Sequence, residues 1–250
     1  MIFCTDLDNT LIYSYRRQMP EEKRCVEIYE GREVSFLSEK TYHGLLKLQE
    51  SMMIVPVTTR TVEQYQRIQL GIRPFAYALV CNGGVLLCDG KENKNWYQES
   101  MKLVEEAQEE LQKAMELLAS DERITFEIRN IRELFIFTKS RNAKDTISDL
   151  KENLDLTKVD VFSNGVKVYV VPKQLNKGMA VKRLRRLMKE KNIIAAGDSL
   201  FDVSMLQEAE IGLAPEELQQ GKEENPKIHY LVKDSLFSEQ VLEFIEEQIR

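Results

Sequence analysis

The sequence predicts an α/β fold in which both ends of the chain build one parallel sheet and an α+β domain is inserted between them. First, short apolar runs alternate with helical spacing at the two ends of the 250-residue chain. This is the pattern of parallel strands joined by right-handed crossover helices. Second, several of those runs end in short polar clusters, as strands do when their carboxyl ends face a ligand. Third, the texture changes between residues 85 and 172, where period-two alternation and hairpin turns replace the crossover pattern. The predicted domains are 1–84 together with 173–250, and 85–172.

Each element has its own signal. Ile2-Phe3-Cys4-Thr5 is a short apolar run and reads as a buried strand. Residues 25–29 and 32–36 flank Glu30-Gly31, which predicts a small hairpin. Ser38 suits the N-cap of a helix running to residue 50, with Leu45 and Leu48 on its apolar side. Residues 52–57 read as a second buried strand that stops at Thr58-Thr59-Arg60-Thr61, with a helix after it. Residues 76–80 read as a third strand, ending at Asn82-Gly83-Gly84. In the inserted segment, Val104, Ala107, Leu111, Ala114 and Leu118 mark one amphipathic helix over 101–118. Ile124, Phe126 and Ile128 alternate with polar neighbours, which predicts a half-exposed strand pairing with 134–138. A helix over 143–154 precedes a hairpin, 159–162 with 167–171, turned at Asn164-Gly165. The remainder reads as a helix over 178–191, a strand over 192–196 ending at Gly197-Asp198-Ser199, and a helix over 202–209. A strand over 211–214, a charged stretch over 216–225 and a C-terminal helix opened by Ser238 complete the chain.

Composition narrows the function. Hydrophobic residues make up 43% and charged residues 30%, an ordinary globular balance. The 35 Lys and Arg against 41 Asp and Glu leave a net charge of −6. That argues against a nucleic-acid partner, because such affinity comes from excess basic charge. The basic run from Lys182 to Lys189 keeps its apolar residues on one helical face and reads as a solvated outer surface. No apolar run approaches the ~18 residues of a membrane span, so no membrane partner is expected. The first residues carry no basic head and apolar stretch of a secretory leader, so a cytoplasmic location is expected. Cys4, Cys25, Cys81 and Cys88 form no C-x-x-C pair and are expected to be reduced. His43 and His229 are the only histidines, which disfavours zinc sites and Ser-His-Asp triads.

The chemistry lies in the polar clusters: Asp6-Leu7-Asp8-Asn9-Thr10, Thr58-Thr59-Arg60, Lys177-Gly178, and Gly197-Asp198-Ser199 with Asp202. At the carboxyl edge of one parallel sheet they can meet although they span the sequence. Carboxylates gathered from Asp6, Asp8 and Asp198 repel one another unless compensated. A hard divalent cation resolves this, and oxygen-only ligands favour Mg²⁺. With Lys177 to offset charge and the Thr58 hydroxyl to bond oxygens, the site suits a phosphoryl group. An aspartate can attack phosphorus, and a second carboxyl can protonate the leaving oxygen and then activate water.

Asp6-Leu7-Asp8-Asn9-Thr10-Leu11 resembles the first motif of the haloacid dehalogenase (HAD) superfamily. Val57-Thr58 resembles the second, Lys177-Gly178 the third, and Gly197-Asp198-Ser199-Leu200-Phe201-Asp202 the fourth, in the same order. The position of the insert, with Asn82-Gly83-Gly84 before it, resembles the type IIB capped branch, which includes Cof-type and sucrose-phosphate phosphatases. The resemblance implies a Rossmann-like core with an inserted α+β cap, and a Mg²⁺-dependent phosphatase acting on a small phosphorylated metabolite, a sugar or polyol phosphate, through an aspartyl-phosphate. It implies Asp6 as nucleophile and Asp8 as general acid/base, with Thr58 and Lys177 holding the phosphoryl group. Metal ligation falls to Asp6, Asp8 through its backbone carbonyl and Asp198, with Asp202 either a direct ligand or a support behind the ligands. Thr59, Arg60 and Asn82 would line the substrate cleft, with Thr59 narrowing it where relatives carry Gly. Two alternatives use the same core: a phosphomutase or phosphotransferase, and a binding module without turnover.

Overall fold

The computed structural model describes residues 1–219, 225–232 and 234–249. The chain separates into two compact units, Met1–Asn93 with Lys177–Arg250, and Lys94–Asn176.

The first unit opens with β1 (Ile2–Thr5), buried at all four positions as a central parallel strand should be. A short β2 (Tyr13–Ser14) and the hairpin of β3 (Lys23–Tyr29) and β4 (Arg32–Ser38) form a three-stranded antiparallel flap in the order β2-β4-β3. Its turn uses Glu30 and Gly31 at φ of 51° and 74°, the left-handed geometry of a tight hairpin. Helix α1 (Glu39–Ser51) follows, with the Ser38 hydroxyl accepting from the Thr41 N–H as its N-cap. Next come β5 (Met53–Pro56), α2 (Val62–Gln66), β6 (Tyr77–Val80), β7 (Val85–Cys88) and β8 (Lys91–Glu92). The run at 77–80 does not join the parallel sheet as a full strand. It pairs antiparallel with β7, and only an isolated bridge, Val57 to Leu79, ties it to the chain after β5.

The second unit holds α3 (Lys94–Val104), α4 (Gln108–Ala119), β9 (Arg129–Ile131), β10 (Phe135–Lys139), α5 (Ala143–Asn153), β11 (Val159–Asn164) and β12 (Lys167–Pro172). Its four-stranded antiparallel sheet has the order β11-β12-β10-β9. Leu111, Ala114, Leu118 and Leu150 from the helices pack on Ile136, Val161, Val168 and Val170. The helix expected over 101–118 is divided by a 3₁₀ turn at Glu105–Ala107, and the segment Ile124 to Ile128 is not a strand. Only Ile124 makes an isolated bridge, to Ser140, because the partner edge of β10 is taken by β9.

The chain returns to the first unit with α6 (Lys177–Met188), β13 (Ile193–Ala196), α7 (Val203–Glu208), β14 (Ile211–Pro215), β15 (Ile228–Leu231) and α8 (Phe237–Ile249). The expected charged stretch contains a 3₁₀ turn at Glu216–Leu218, and residues 220–224 lie outside the described residues. Five parallel strands run in the order β15-β14-β13-β1-β5. The order reverses direction between β13 and β1, so the carboxyl ends of those two strands open a crevice where α/β sheets bind ligands. Phe3, Ile54, Ile194 and Leu213 meet Leu45 and Leu48 of α1 and Val241, Leu242 and Ile245 of α8 in the core. Among the described residues, all four cysteines are free thiols, and no helix is long and apolar enough to cross a membrane.

Two polar links tie α8 to the end of β4 and the start of α1. The Ser38 hydroxyl donates to Glu239 at 2.7 Å, and the Thr41 and Ser238 hydroxyls lie 2.7 Å apart. Tyr13 accepts from the Ser238 N–H at 2.9 Å and donates to the Thr10 carbonyl at 3.4 Å.

Candidate active site

Asp6 is the first residue past β1, and its N–H donates to the Ala196 carbonyl at 2.9 Å, so the strand end is fixed against β13. Lys177 opens α6, where the helix dipole disfavours a cation. Its ammonium is 1% exposed and bridges two carboxylates, Asp6 Oδ1 at 2.6 Å and Asp202 Oδ1 at 2.5 Å. Burial alone would lower the Lys177 pKa, but attraction from Asp202 and Asp6 outweighs it and holds the group charged.

Asp202 stands just before α7, fully buried, and its Oδ2 accepts from the Ser199 N–H at 2.9 Å and hydroxyl at 2.7 Å. Two glycines permit this. A Cβ on Gly197 would lie 2.2 Å from Asp202 Cβ, and one on Gly178 would lie 2.4 Å from the Ser204 carbonyl oxygen. Gly178 also donates to the Ser204 hydroxyl at 3.0 Å. Glycine therefore stands at both positions because α6, α7 and the turn after β13 converge without room for a side chain.

Asp198 accepts from the Thr10 hydroxyl at 3.2 Å. Carboxylate oxygens of Asp6, Asp198 and Asp202 all lie within 4.8 Å of one another. Burial, then repulsion from Asp202, pushes Asp198 up to about 7. Burial also raises Asp6 well above the carboxylate range; Lys177 opposes this, while Asp202, Asp198 and Asp8 add repulsion. One ammonium bonded to two of the three gathered carboxyls leaves negative charge in excess when all three are ionised. This oxygen-only donor set fits a hard divalent cation such as Mg²⁺.

Of the remaining predicted residues, Thr58, Thr59 and Arg60 follow β5 and Asn82 follows β6. Thr58 is fully buried, donates its N–H to the Leu79 carbonyl at 2.8 Å, and accepts from the Arg60 N–H at 3.1 Å. Asn82 donates its N–H to the Thr58 carbonyl at 2.9 Å, and Cys81 donates to the Arg60 carbonyl at 2.8 Å. Cys81, Asn82 and Gly83 have φ of 52°, 56° and 85°. Three left-handed residues in succession cost about 1–3 kcal/mol at each non-glycine, the kind of strain that clusters at functional sites. Asn82 is 2% exposed, and Thr59, next to Thr58 in sequence, is half-buried.

Asp8 is placed differently from Asp6. Its carboxylate is 49% exposed and lies on Arg60, with Nε 2.8 Å from Oδ2 and Nη2 2.7 Å from Oδ1. The metal-type cluster among the described residues is therefore Asp6, Asp198 and Asp202, with the Asp8 side chain on the guanidinium. Sequence reasoning assigned no role to Thr10, Ser199 or Glu27. Thr10 and Ser199 lie inside motifs it did recognise. Glu27 lies in an alternating strand that carries no chemical signal.

The model of haloacid dehalogenase-like hydrolases matches residues 90–220, just over half of the chain. No match is found among curated protein sequences. Among solved structures, sucrose-phosphatase from Synechocystis sp. PCC6803, determined with sucrose and phosphate, is 17% identical with a TM-score of 0.68, covering 99% of this chain and 97% of that one. A trehalose-6-phosphate phosphatase related protein is 16% identical with a TM-score of 0.59, covering 99% and 98%. A haloacid dehalogenase-like hydrolase from Bacteroides thetaiotaomicron is 17% identical with a TM-score of 0.57, covering 99% and 98%. By its family match, and in a fold shared with these structures, the chain belongs to the haloacid dehalogenase-like hydrolases.

Proposed function

We propose that this hydrolase is a Mg²⁺-dependent phosphatase that works through an aspartyl-phosphate on Asp6. The observation that carries the reading is the trio of Asp6, Asp198 and Asp202, buried at Asp6 and Asp202, with Lys177 bonded to those two. The cation would be held by Asp6, Asp198, the carbonyl of Asp8 and Asp202, the last either directly or by positioning Ser199. When bound, it would offset the charge that the carboxylates and the phosphoryl oxygens bring together.

In the first step the Asp6 carboxylate forms a bond to phosphorus as the bond to the leaving oxygen breaks. That oxygen takes the electron pair and a proton from Asp8. In the second step Asp8 accepts a proton from water, whose oxygen attacks phosphorus, and the Asp6–phosphorus bond breaks to release phosphate. Lys177 and Thr58 hold the phosphoryl oxygens through both steps. Thr59, Arg60 and Asn82 line the substrate side.

The substrate class proposed is a small sugar or polyol phosphate, with the inserted unit acting as the selecting cap. Two of the structures sharing the fold are a sucrose-phosphatase and a trehalose-6-phosphate phosphatase related protein, which supports that class.

Phosphate release from p-nitrophenyl phosphate, with Mg²⁺ and with EDTA, tests the reading. Wild type is expected to turn over with Mg²⁺ only. Asp6→Asn is expected to lose roughly 10⁴-fold or more of kcat, as nucleophile deletions do. No release with Mg²⁺ from any of a panel of phosphate monoesters, or a fully active Asp6→Asn variant, would overturn it.

A further inference from the structure

We propose that Glu27, on the flap, is a positioning residue for Asp8 and acts by fixing the guanidinium of Arg60. One edge of Arg60, Nε and Nη2, holds both oxygens of Asp8 at 2.8 and 2.7 Å. Another nitrogen, Nη1, lies 2.9 Å from Glu27 Oε1. The planar guanidinium presents its donors in a fixed fork, so an anchor on one side sets the direction of the other.

The backbone around Glu27 is built for this contact. Along β3 the register slips between Cys25 and Glu27 and again between Glu27 and Ile28. Regular alternation would turn one of Val26 and Glu27 outward; here they are 2% and 4% exposed. The bulge aims a carboxylate inward beside an apolar neighbour, a use of bulges common next to active sites. The Val26 carbonyl accepts from the Gln69 N–H at 2.7 Å, which holds the bulge against the segment after α2.

Glu27 is further fixed by Ser35, whose hydroxyl donates at 2.7 Å, and by Arg67, whose Nη2 lies 3.1 Å away. Arg67 in turn lies over the Tyr29 ring at 4.7 Å. Burial would raise the Glu27 pKa, but hydrogen bonds from Arg60, Ser35 and Arg67 outweigh it and keep the carboxylate ionised. Asp8, Arg60, Glu27 and Arg67 thus form an alternating, charge-balanced chain from the exposed acid to the flap. A rotation of the flap moves Glu27, and with it the edge of Arg60 on which Asp8 rests.

The kinetic part of this inference rests on the phosphatase reading; the structural part does not. The test therefore combines nitrogen-15 NMR of arginine Nε–H groups, with Arg60 assigned by its loss in Arg60→Lys, and kinetics on p-nitrophenyl phosphate. In Glu27→Gln the Arg60 Nε–H is expected to exchange at least about tenfold faster, as a charged hydrogen bond is loosened. The kcat is expected to fall about tenfold, short of the roughly hundredfold cost of a 1 Å misplacement, with KM within about twofold. Unchanged Nε–H exchange, or faster exchange with unaltered kcat, overturns the proposal. If wild type proves inactive on all phosphate esters, the phosphatase reading fails, and the Nε–H exchange alone then decides for or against the coupling. Should Glu27→Gln fail to fold, Glu27→Asp keeps the charge and withdraws the carboxylate by one methylene. A smaller loss of protection and of kcat then supports the proposal, and wild-type values of both overturn it.

Discussion

Two charge clusters meet at the carboxyl end of β1, and they are held in opposite ways. Around Lys177 the partners are strand ends and helix starts of the sheet, with side chains of Lys177, Asp202 and Asp6 only 1%, 0% and 9% exposed. Around Arg60 the partners are the half-exposed Asp8 and a carboxylate carried on the flap hairpin. In the buried cluster a lost partner strands an uncompensated charge, so its geometry is rigidly enforced. In the outer cluster Glu27 and Arg60 are shielded at 3% and 13% exposure, but Asp8 at 49% is open to water, which screens and competes, so the contact at that end is worth less by itself. Two carboxyls only two residues apart thus receive different freedoms. That difference suits the roles proposed for them: a nucleophile must stay in place, while a proton carrier must serve first a leaving oxygen and then water.

The sharpest way to break this contrast is Lys177→Met. It leaves the buried carboxylates of Asp6 and Asp202 without their ammonium and is expected to cost about 3–5 kcal/mol in urea unfolding, along with phosphatase activity. A variant as stable as wild type would show that the buried cluster is no more demanding than the outer one. Next in size is a pH effect. Burial and then repulsion from Asp202 push the Asp198 carboxyl up to about 7 in the folded chain, from an ordinary value near 4. Between those pH values the folded state therefore binds more protons at this site than the unfolded state, so its contribution to stability falls as pH rises. Metal-free Asp198→Asn is accordingly expected to gain in Tm relative to metal-free wild type from pH 4 to pH 7. Mg²⁺ added at pH 7 should raise the wild-type Tm and leave the variant unmoved. A constant Tm difference across that range would reject the raised value. The smallest effect belongs to the outer cluster: Ser35→Ala removes one bond to Glu27 and should cost about 1 kcal/mol, with kcat changed less than about twofold. A loss as large as that of Lys177→Met would erase the distinction.

Much of this was legible in the sequence because strand ends in a parallel sheet combine two independent signals, an apolar run and the polar residues that stop it. Asp6, Thr58 and Asp198 were singled out that way, and Lys177 as a cation at a helix start, although 192 residues separate Asp6 from Asp198 in numbering. What was not legible depends on partners distant in the chain. The run at 77–80 looks like the other buried strands, but its pairing with 85–88 makes it part of an antiparallel hairpin. Ile124, Phe126 and Ile128 alternate correctly for a strand, but a strand also needs an open edge to pair with. Residues 228–231, which form the edge strand beside β14, lie past a charged stretch that masks them. Glu27 is hidden for a further reason: period-two reading assumes an unbroken register, and a bulge reverses which face a residue occupies.

The hydroxyl of Tyr13, bonded to the Ser238 N–H 225 positions away and to the Thr10 carbonyl, makes the beginning of the last helix an immediate neighbour of the loop that carries the two aspartates. New chain ends opened at Ser238 by circular permutation would therefore unsettle that loop, whereas the exposed turn at Asn164 and Gly165 is the place where the backbone can be cut and rejoined at little cost.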